Sequence, residues 1–453
     1  MEERTYPEEI SPDGSKILSS KVQGDGMRII CDLHLHSPYS RGTSKEMTIE
    51  NLSKYARLKG LNLLGSSDFT HPKWLRQLKQ ELSEIDNTGI FQSKSGFNFI
   101  LSTEVCNIFV HEGKTRKVHN IILAKGFDVV DQINEQLKKF GNLEADGRPV
   151  FNGMSCAELV EILMEISKDI VVIPAHIYTP HFGVFGSKSG FNSLKECFQE
   201  NTKYIFALET GLSSIPSMSY RISELDKYSL VSFSDSHSPW PWRIGREVCV
   251  LEIKELTFDK IIEAIKEKNN KNFLMTIEFP CEAGKYHWDG HRNCNISLHP
   301  KDAIKLNNIC PKCGKKLTIG VLHRVEELAD RPEGFVPKDA IPFKTLLPLY
   351  EIISFAWGSG ELYSKKVLEE HDKLIKNFGN ELNVLLNVSK EELLKVTKEK
   401  IADAIIKVRE GKVKYQAGYD GRYGRPIFGE KIIPKQKSFH YQKSLTEFKS
   451  IFS

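Results

Sequence analysis

Short apolar runs that end in a histidine or a carboxylate recur through the first half of the chain. The first is Asp32-Leu33-His34-Leu35-His36, and later runs end at Glu104, at His119, at His176 and at Ser234-Asp235-Ser236-His237. Between these runs the chain alternates strand-like and helix-like patterns, which favours a parallel sheet or barrel built from βα units. Because the ends of successive strands meet on one face of such a fold, the pattern predicts an α/β domain with a metal-binding cluster there.

Helix start and stop signals support this alternation between residues 27 and 270. Thr48 can cap a helix that ends before Gly60, and Ser155 with Glu158 has the sequence of a capping box. Strands are predicted at residues 27–36, 61–65 and 170–174.

The chain has 453 residues, more than one hydrophobic core usually spans, so we expect several domains. Changes in composition divide it into an N-terminal extension (1–26), an α/β domain (27–270), a zinc-binding module (271–335) and a helical, basic region (336–453). No apolar run could span a bilayer, and the N-terminus lacks a signal-peptide core. We therefore expect a cytoplasmic protein without membrane contact, and a monomer.

Positive charge is concentrated near the C-terminal end. The net charge of the chain is +4, whereas residues 411–453 hold nine Lys and Arg against three Asp and Glu. Such an excess indicates an anionic partner, with nucleic acid the first candidate, although a solvated tail would have the same composition. Arg422 and Arg425 lie in a loop rich in glycine and tyrosine that we expect to contact DNA phosphates.

Two pairs of candidate metal ligands are spaced two residues apart on predicted strands, so both side chains of a pair face the same side. His34 and His36 form the first pair, and Asp235 and His237 form the second. Bound divalent ions can polarise a phosphoryl oxygen and activate water, but such ligands would equally serve amide hydrolysis. The candidate ligands are His34, His36, Asp68, His71, Glu104, His119, His176, Asp235 and His237.

A second group of metal ligands lies in the cysteine-rich module. His291-x2-Cys294 is followed after fifteen residues by Cys310-x2-Cys313, a spacing typical of a zinc ribbon or knuckle. Four protein ligands leave no open position, so we expect one structural Zn2+. Two neighbouring residues could replace His291 as the fourth ligand, namely Cys281 and His287.

The segment Asp32–Ser37 and the downstream ligands resemble the polymerase and histidinol phosphatase (PHP) phosphoesterase family over about residues 27–270. This resemblance implies a distorted (β/α)7 barrel with two or three catalytic divalent metals, Zn2+, Mg2+ or Mn2+. Residues 40–44 lack a histidine that many members carry for a third ion, and His71 with His237 could hold that ion here. The resemblance assigns one ion to His34, His36, Glu104 and Asp235, and a second to Glu104, His119 and His176.

From about residue 27 to 430 the chain also resembles the endonuclease Q family of DNA repair nucleases. The blocks at 284–292, 325–332 and 418–421 carry this resemblance. It implies a metal-dependent endonuclease that nicks damaged double- or single-stranded DNA 5′ to uracil, hypoxanthine, xanthine or an abasic site, leaving 3′-hydroxyl and 5′-phosphate ends. Asp235 and Glu104 would be the catalytic residues, and a sliding clamp is a candidate partner. The alternatives are a small-molecule phosphatase and a non-catalytic nucleic-acid-binding protein.

An enzyme that inspects a base must extrude it from the helix and needs a pocket to receive it. The loop at 178–192 follows a ligand-bearing strand, so we expect it at the catalytic face. Its aromatic side chains could stack on a base, or could form a lid that packs on the rim of the barrel. Those residues are Tyr178, Phe182 and Phe185, and Ser187 and Lys188 beside them could meet a phosphate.

Trp240 and Trp242 directly follow the last predicted ligand and are flanked by prolines. A stiff apolar projection of this kind could wedge open a duplex. Packing against the neighbouring domain is the alternative.

Overall fold

The computed structural model describes residues 26–358, 360–362 and 364–428. The predicted extension before residue 26 and the basic segment after residue 428 therefore lie outside the described residues. The strands are β1 (Met27–Asp32), β2 (Leu63–Gly65), β3 (Leu82–Glu84), β4 (Phe91–Ser93), β5 (Asn98–His111), β6 (Lys114–Ala124), β7 (Val150–Asn152), β8 (Val171–Pro174), β9 (Ala207–Glu209), β10 (Ser229–Val231), β11 (Val248–Ile253), β12 (Phe273–Glu278), β13 (Asp289–His291), β14 (Ile296–Leu298), β15 (Phe343–Thr345), β16 (Lys414–Gln416) and β17 (Arg425–Ile427).

The α-helices are α1 (Ile49–Lys59), α2 (Pro72–Glu81), α3 (Phe127–Leu137), α4 (Cys156–Ile166), α5 (Leu194–Phe198), α6 (Pro216–Ser219), α7 (Phe258–Glu267), α8 (Pro300–Lys305), α9 (Val321–Leu328), α10 (Leu349–Ala356), α11 (Lys365–Phe378), α12 (Glu381–Leu386), α13 (Lys390–Val396) and α14 (Glu399–Arg409). Short 3-10 turns occupy residues 199–204, 223–227, 281–283 and 292–294. No helix in this part of the chain is both long and apolar enough to cross a membrane.

The predicted helix boundaries are confirmed where their caps are visible. Thr48 accepts a hydrogen bond from the Asn51 amide at 3.2 Å and begins α1, while Gly60 ends it with a φ of 103°. Ser155 likewise accepts from the Glu158 amide at 3.1 Å at the start of α4. These side chains satisfy amides that have no partner inside the first turn of a helix.

A mixed sheet forms the centre of the molecule. Its hydrogen-bonded order is β15-β12-β11-β1-β2-β5-β4-β3, and β5 also pairs with β6 and β7, while β6 pairs with β8. Strands β9 and β10 form a separate parallel pair. The predicted domain boundary at residue 270 falls just before β12, and β15 joins the sheet from the region predicted to be helical.

The described strands do not close into a continuous hydrogen-bonded barrel. The central sheet and the β9–β10 pair are joined by single contacts instead. The Ile177 amide donates to the Glu209 carbonyl at 3.0 Å, and Leu35 forms an isolated bridge with Ser236. The chain leaves β8 through His176 and leaves β10 toward Asp235, both with positive φ, at 30° and 46°. A residue in this conformation does not fit a ladder, so neither His176 nor Asp235 extends the strand before it.

The C-terminal helices pack against the outside of the sheet domain. Lys59 at the end of α1 donates to Glu381 at 2.7 Å and to the Pro241 carbonyl at 2.8 Å, and both partners are buried. Trp242 contacts Tyr350 of α10 edge-on, with ring centroids 4.8 Å apart. This contact ties the loop after β10 to the helical region.

Candidate metal centre

Glu104 of β5 lies at the centre of a buried cluster of histidines. Its Oε1 is 2.8 Å from His119 Nδ1, 3.1 Å from His176 Nε2 and 3.6 Å from His34 Nε2. Its Oε2 is 3.4 Å from His36 Nε2. One carboxylate thus faces four imidazoles from three parts of the chain, which is the arrangement that a bridging ligand needs.

Asp235 adds a second carboxylate to the cluster. Its Oδ1 lies 3.0 Å from His36 Nε2, 3.7 Å from His34 Nε2 and 3.6 Å from His237 Nε2. Three groups have ligand atoms within 4.8 Å of one another: His34 with His36 and Glu104; His36 with Asp235 and His237; and Glu104 with His119 and His176.

Outer carboxylates orient the two histidines of the first strand end. His34 Nδ1 lies 2.9 Å from Glu209 Oε1, and His36 Nδ1 lies 3.2 Å from Asp68 Oδ1. Asp68 also accepts the Ser37 amide at 2.5 Å. A carboxylate on Nδ1 holds the proton there and leaves the Nε2 lone pair free for a metal.

The third metal-capable group is oriented by a hydroxyl. Thr43 Oγ1 lies 2.7 Å from His237 Nδ1, so His237 also turns its Nε2 toward Asp235. Thr43 lies in the 40–44 segment and holds the ring of a candidate ligand, His237, without belonging to a metal-capable group itself.

Strained backbone conformations position several of these side chains. Asp68, His176 and Asp235 all have positive φ, at 34°, 30° and 46°. Non-glycine residues rarely adopt this conformation, and it clusters at functional sites. Gly211, with φ at 66°, approaches so closely that an added Cβ would lie 2.5 Å from the Cβ of His176.

The charges of the cluster shift its proton equilibria. Burial raises the pKa of Glu104, but His119, Arg148 and His34 outweigh burial and hold that pKa well below its usual value. Burial lowers the pKa of His119 to about 4 in spite of the nearby Glu104. Burial also opposes a charge on His34, yet Glu209 and Glu104 raise its pKa well above the usual value.

The residues present fit divalent metal ions. His34 Nε2 is buried and has no hydrogen-bond partner among the described residues, although it faces Glu104 and Asp235. Imidazole nitrogens and carboxylate oxygens are the usual ligands of zinc, manganese and iron. A cation between these groups would satisfy the unpaired nitrogen and balance the buried negative charge.

Two predicted ligands lie outside the three metal-capable groups. Asp68 contacts His36 and the backbone, in the outer position described above. His71 stacks on Tyr39 with ring centroids 4.3 Å apart, directly before α2. The third group instead joins His237 to His36 and Asp235.

The aromatic residues of the 178–192 loop are divided between the core and the metal centre. Tyr178 and Phe185 are only 0% and 1% exposed, which favours the stated alternative of packed aromatic residues over stacking on a base. Phe182 stacks on His119 with ring centroids 4.4 Å apart. Ser187 is half-buried and Lys188 is exposed beside it.

The tryptophan pair packs within the protein. Trp240 stacks on Trp242 with centroids 5.8 Å apart and meets Tyr55 edge-on at 5.3 Å. Trp242 is only 5% exposed and contacts Tyr350, which corrects its prediction as a projecting wedge. Packing between the two regions, the stated alternative, is what the structure shows for Trp242.

The four predicted ligands of the cysteine-rich module come together, with their donor atoms within 4.8 Å of one another. His291 Nδ1 lies 3.4 Å from Cys313 Sγ. Burial opposes ionisation of Cys310, but the amides of Lys312 and Cys313 lower the pKa of its thiol to about 6. The two alternatives to His291 lie outside this group: Cys281 and His287 are both buried elsewhere.

The basic loop before residue 428 is bound to this module. Arg422 donates to Asn295 Oδ1 at 2.8 Å and to the Arg292 carbonyl at 2.9 Å. Arg425 begins β17, which pairs with β16. The role predicted for both arginines in binding DNA stays a prediction.

Sequence reasoning missed two charged residues of the centre. Glu209 ends the short apolar strand β9, and this is the same signal that marked Glu104. Arg148, whose Nη1 lies 2.9 Å from Glu104 Oε2, sits in a loop before β7 and has no periodic signal around it.

Several known proteins are similar to this chain. The family described as MJ0043 C-terminal domain matches residues 348–412. The uncharacterized protein MJ0043 of Methanocaldococcus jannaschii is 36% identical over 256 residues, covering 55% of this chain but only 31% of its own length. The uncharacterized protein YqxK of Bacillus subtilis is 28% identical over 414 residues, covering 88% of this chain and 99% of its own.

Two crystal structures match nearly the whole molecule. The lesion-specific endonuclease PfuEndoQ from Pyrococcus furiosus has a TM-score of 0.80 at 34% identity, covering 90% of this chain and 98% of its own. Endonuclease Q in complex with a 27-mer duplex bearing an abasic lesion at the active site has a TM-score of 0.79 at 33% identity, covering 89% and 97%.

Proposed function

This chain belongs to the endonuclease Q family, and from that premise we propose that it is a DNA repair endonuclease specific for damaged sites. As a member of this family it is a metal-dependent hydrolase. The substrate is DNA with an abasic site or a deaminated base, namely uracil, hypoxanthine or xanthine. The cut lies 5′ to the lesion and leaves 3′-hydroxyl and 5′-phosphate ends.

One observation carries this proposal: Glu104, Asp235 and five histidines from separate parts of the chain meet in one cluster, within a fold that matches endonuclease Q over 90% of the chain. A cluster of this kind suits hydrolysis of a phosphodiester, whose charge must be neutralised in the transition state. The similar endonuclease Q was crystallised with an abasic duplex, which supports DNA as the substrate here.

The residues of the cluster have separate tasks. His34, His36 and Glu104 would hold one ion, and Glu104 with His119 and His176 would hold a second. Asp235 with His36 and His237 is the third candidate group. Bound divalent ions supply a polarised phosphoryl oxygen and a nucleophile from water near neutral pH. Glu209 and Asp68 keep protons on the Nδ1 atoms of His34 and His36, so that both Nε2 atoms stay available.

Recognition of the lesion falls to the surface around this centre. Phe182, which is half-buried on His119, is the best-placed aromatic residue to meet an extruded base, and Lys188 is exposed on the same loop. The Cys310–Cys313 module holds one structural Zn2+. A sliding clamp as partner, a monomeric state and a cytoplasmic location stay predictions.

The direct test is incubation of the purified protein with labelled duplexes. They carry an abasic site, uracil, hypoxanthine, xanthine or no damage, with Mg2+, Mn2+ or Zn2+ added. We expect a nick 5′ to the lesion, with end-group analysis showing a 3′-hydroxyl and a 5′-phosphate. Cleavage of undamaged DNA at the same rate, or hydrolysis of free phosphomonoesters alone, would contradict the proposal.

A second test separates catalysis from binding. Asp235→Asn removes a charge from the cluster and should abolish cleavage while the affinity for DNA is kept. Asp259→Asn is the matched control, because Asp259 pairs with Lys125 on the surface at 2.6 Å. An inactive parent that still binds DNA would instead favour a non-catalytic binding protein.

A further inference from the structure

Arg148 is the one arginine seen to pair with the central carboxylate of the metal centre within the described residues. Its Nη1 lies 2.9 Å from Glu104 Oε2, and its side chain is 25% exposed whereas that of Glu104 is fully buried. The guanidinium thus extends from the surface to the middle of the cluster. The resemblance to known phosphoesterases assigns it no role in the ligand set.

Hydrogen bonds fix the backbone on both sides of Arg148. The Gly147 amide donates to the Tyr39 carbonyl at 3.1 Å, and the Gly147 carbonyl accepts from Thr70 Oγ1 at 3.2 Å. The Pro149 carbonyl accepts from the Cys106 amide at 2.9 Å. Because separate segments hold this stretch, its position is part of the architecture of the site.

The contact of Gly147 with the site is unusually close. A Cβ at this position would lie 2.3 Å from Asp68 Oδ2 and 2.4 Å from Ser40 Oγ. Only glycine fits there without a shift of the carboxylate that orients His36. The segment that carries Arg148 is therefore packed directly against the outer shell of the metal centre.

In the structure the charge of Arg148 pairs with Glu104, and it becomes available to another anion once cations are bound. Glu104 Oε2, its partner, is also 3.4 Å from His36 Nε2, within a metal-capable group. A divalent cation held by that group would neutralise Glu104 and repel the guanidinium. A guanidinium is always charged and presents five N–H donors in a planar fork that matches phosphate oxygens.

We propose that Arg148 is a phosphate-binding residue that exchanges Glu104 for a non-bridging oxygen of the phosphodiester to be cleaved. This inference rests on the proposed function and adds a residue to its machinery. Arg148 would stabilise the negative charge that develops on the phosphoryl group, as preorganised donors do in other active sites.

The test compares Arg148→Ala and Arg148→Lys with the parent on an abasic duplex. Loss of one such donor should lower kcat by about 10²- to 10³-fold in Arg148→Ala, with a smaller loss in Arg148→Lys, which keeps a point charge. Methylguanidine added to Arg148→Ala should restore part of kcat, but should not rescue Asp235→Asn. The matched control is Arg28→Ala, which breaks another Arg–Glu pair, with N and O 2.8 Å apart, at the far end of β1.

Two further readouts exclude a merely structural role. Metal content, measured by mass spectrometry, should be unchanged in Arg148→Ala. Binding of the abasic duplex in EDTA, measured by fluorescence anisotropy, should match that of the parent, because without bound cations Arg148 stays paired with Glu104 and makes no phosphate contact to lose.

Each contrary result has a distinct meaning. If Arg148→Ala cleaves as fast as Arg28→Ala, or loses its metal and shows no rescue, the inference is wrong while the proposed function stands. If the parent itself cleaves none of the damaged duplexes, the proposed function fails and this inference fails with it.

Discussion

Replacing Glu209 tests whether the outer carboxylates of the metal centre fix the protonation of its histidines. Glu209 is fully buried, its Oε1 lies 2.9 Å from His34 Nδ1, and its Oε2 accepts the His176 amide at 2.6 Å. Both of its oxygens therefore face donors. Glu209→Gln keeps the shape of the side chain, but it replaces one of the two acceptor oxygens with an NH2 group, which can only donate.

The amide cannot satisfy both neighbours. If its oxygen stays on the His176 amide, its NH2 group faces His34 Nδ1, which must then accept, and the proton moves to Nε2. His34 would thereby lose the lone pair that faces Glu104 and Asp235. If the amide flips, its NH2 group opposes the His176 N–H, and a buried donor is left unpaired at a cost of about 1–3 kcal/mol.

We expect Glu209→Gln to weaken metal binding by about 10- to 100-fold, or about 1.4–2.8 kcal/mol, as for other outer partners of metal-bound histidines. The neutral amide also removes a charge that raises the pKa of His34. The lower pKa of His34 in the variant reduces the competition of protons with the metal. The loss of affinity should therefore be clearest at about pH 8, where protons compete least.

The assay is competition of the protein with a fluorescent chelator for Mn2+ or Zn2+. Glu252→Gln is the control, because Glu252 pairs with Arg28 away from the centre at 2.8 Å. Thermal unfolding in EDTA separates a loss of fold from a loss of metal. Equal affinities of Glu209→Gln and the control at alkaline pH would refute the tautomer argument.

Three further predictions concern other parts of the molecule. Cys313→Ser should remove one tightly bound zinc ion, measured by mass spectrometry, and full retention of zinc would show that the module needs no fourth ligand. Burial raises the pKa of Glu278 to about 7 from its usual 4.5, so its contribution to stability is present below about pH 4.5 and is lost as the pH rises through 7. Glu278→Gln should remove about 3 kcal/mol of that pH dependence in urea unfolding, and an unchanged slope would contradict it. Lys59→Ala leaves the buried Glu381 without its cation, so the free energy of unfolding should fall by about 3–5 kcal/mol, and a fall of less than about 1 kcal/mol would show that the pair is not needed.

Local signals in the sequence were enough for the helix caps near the site and for most of its candidate ligands. They did not give the strand bounds, because β1 ends at Asp32 instead of residue 36, and β5 and β6 continue beyond Glu104 and His119. The capping residues Thr48 and Ser155 begin helices as predicted, since a cap acts within one turn. The cysteine motif assembled as its spacing indicated, because a two-residue gap brings both sulfurs of a pair to one point.

Other features depend on contacts between distant segments. The sequence left open whether Tyr178 and Phe185 stack on a base or pack as a lid, because aromatic residues in a loop carry no mark of the side they face, and both are buried in the structure. His71 and Asp68 follow the same strand, yet Asp68 orients His36 whereas His71 stacks on Tyr39. Asp68 has a positive φ of 34° after its strand, and the periodicity of a sequence does not report such a backbone angle.

The sequence alone determined seven residues of the three metal-capable groups, namely His34, His36, Glu104, His119, His176, Asp235 and His237. It did not show that Glu104 and His119 lie within β5 and β6 rather than at strand ends. The tertiary structure decided which contacts these residues make. Glu104 lies among the histidines, Glu209 and Asp68 contact the Nδ1 atoms of His34 and His36, and Arg148 pairs with Glu104. The physical reason is the distance along the chain over which each kind of interaction acts. Strand and cap signals act over a few residues, whereas His34 and Glu209 are 175 residues apart and meet only when the sheet is assembled.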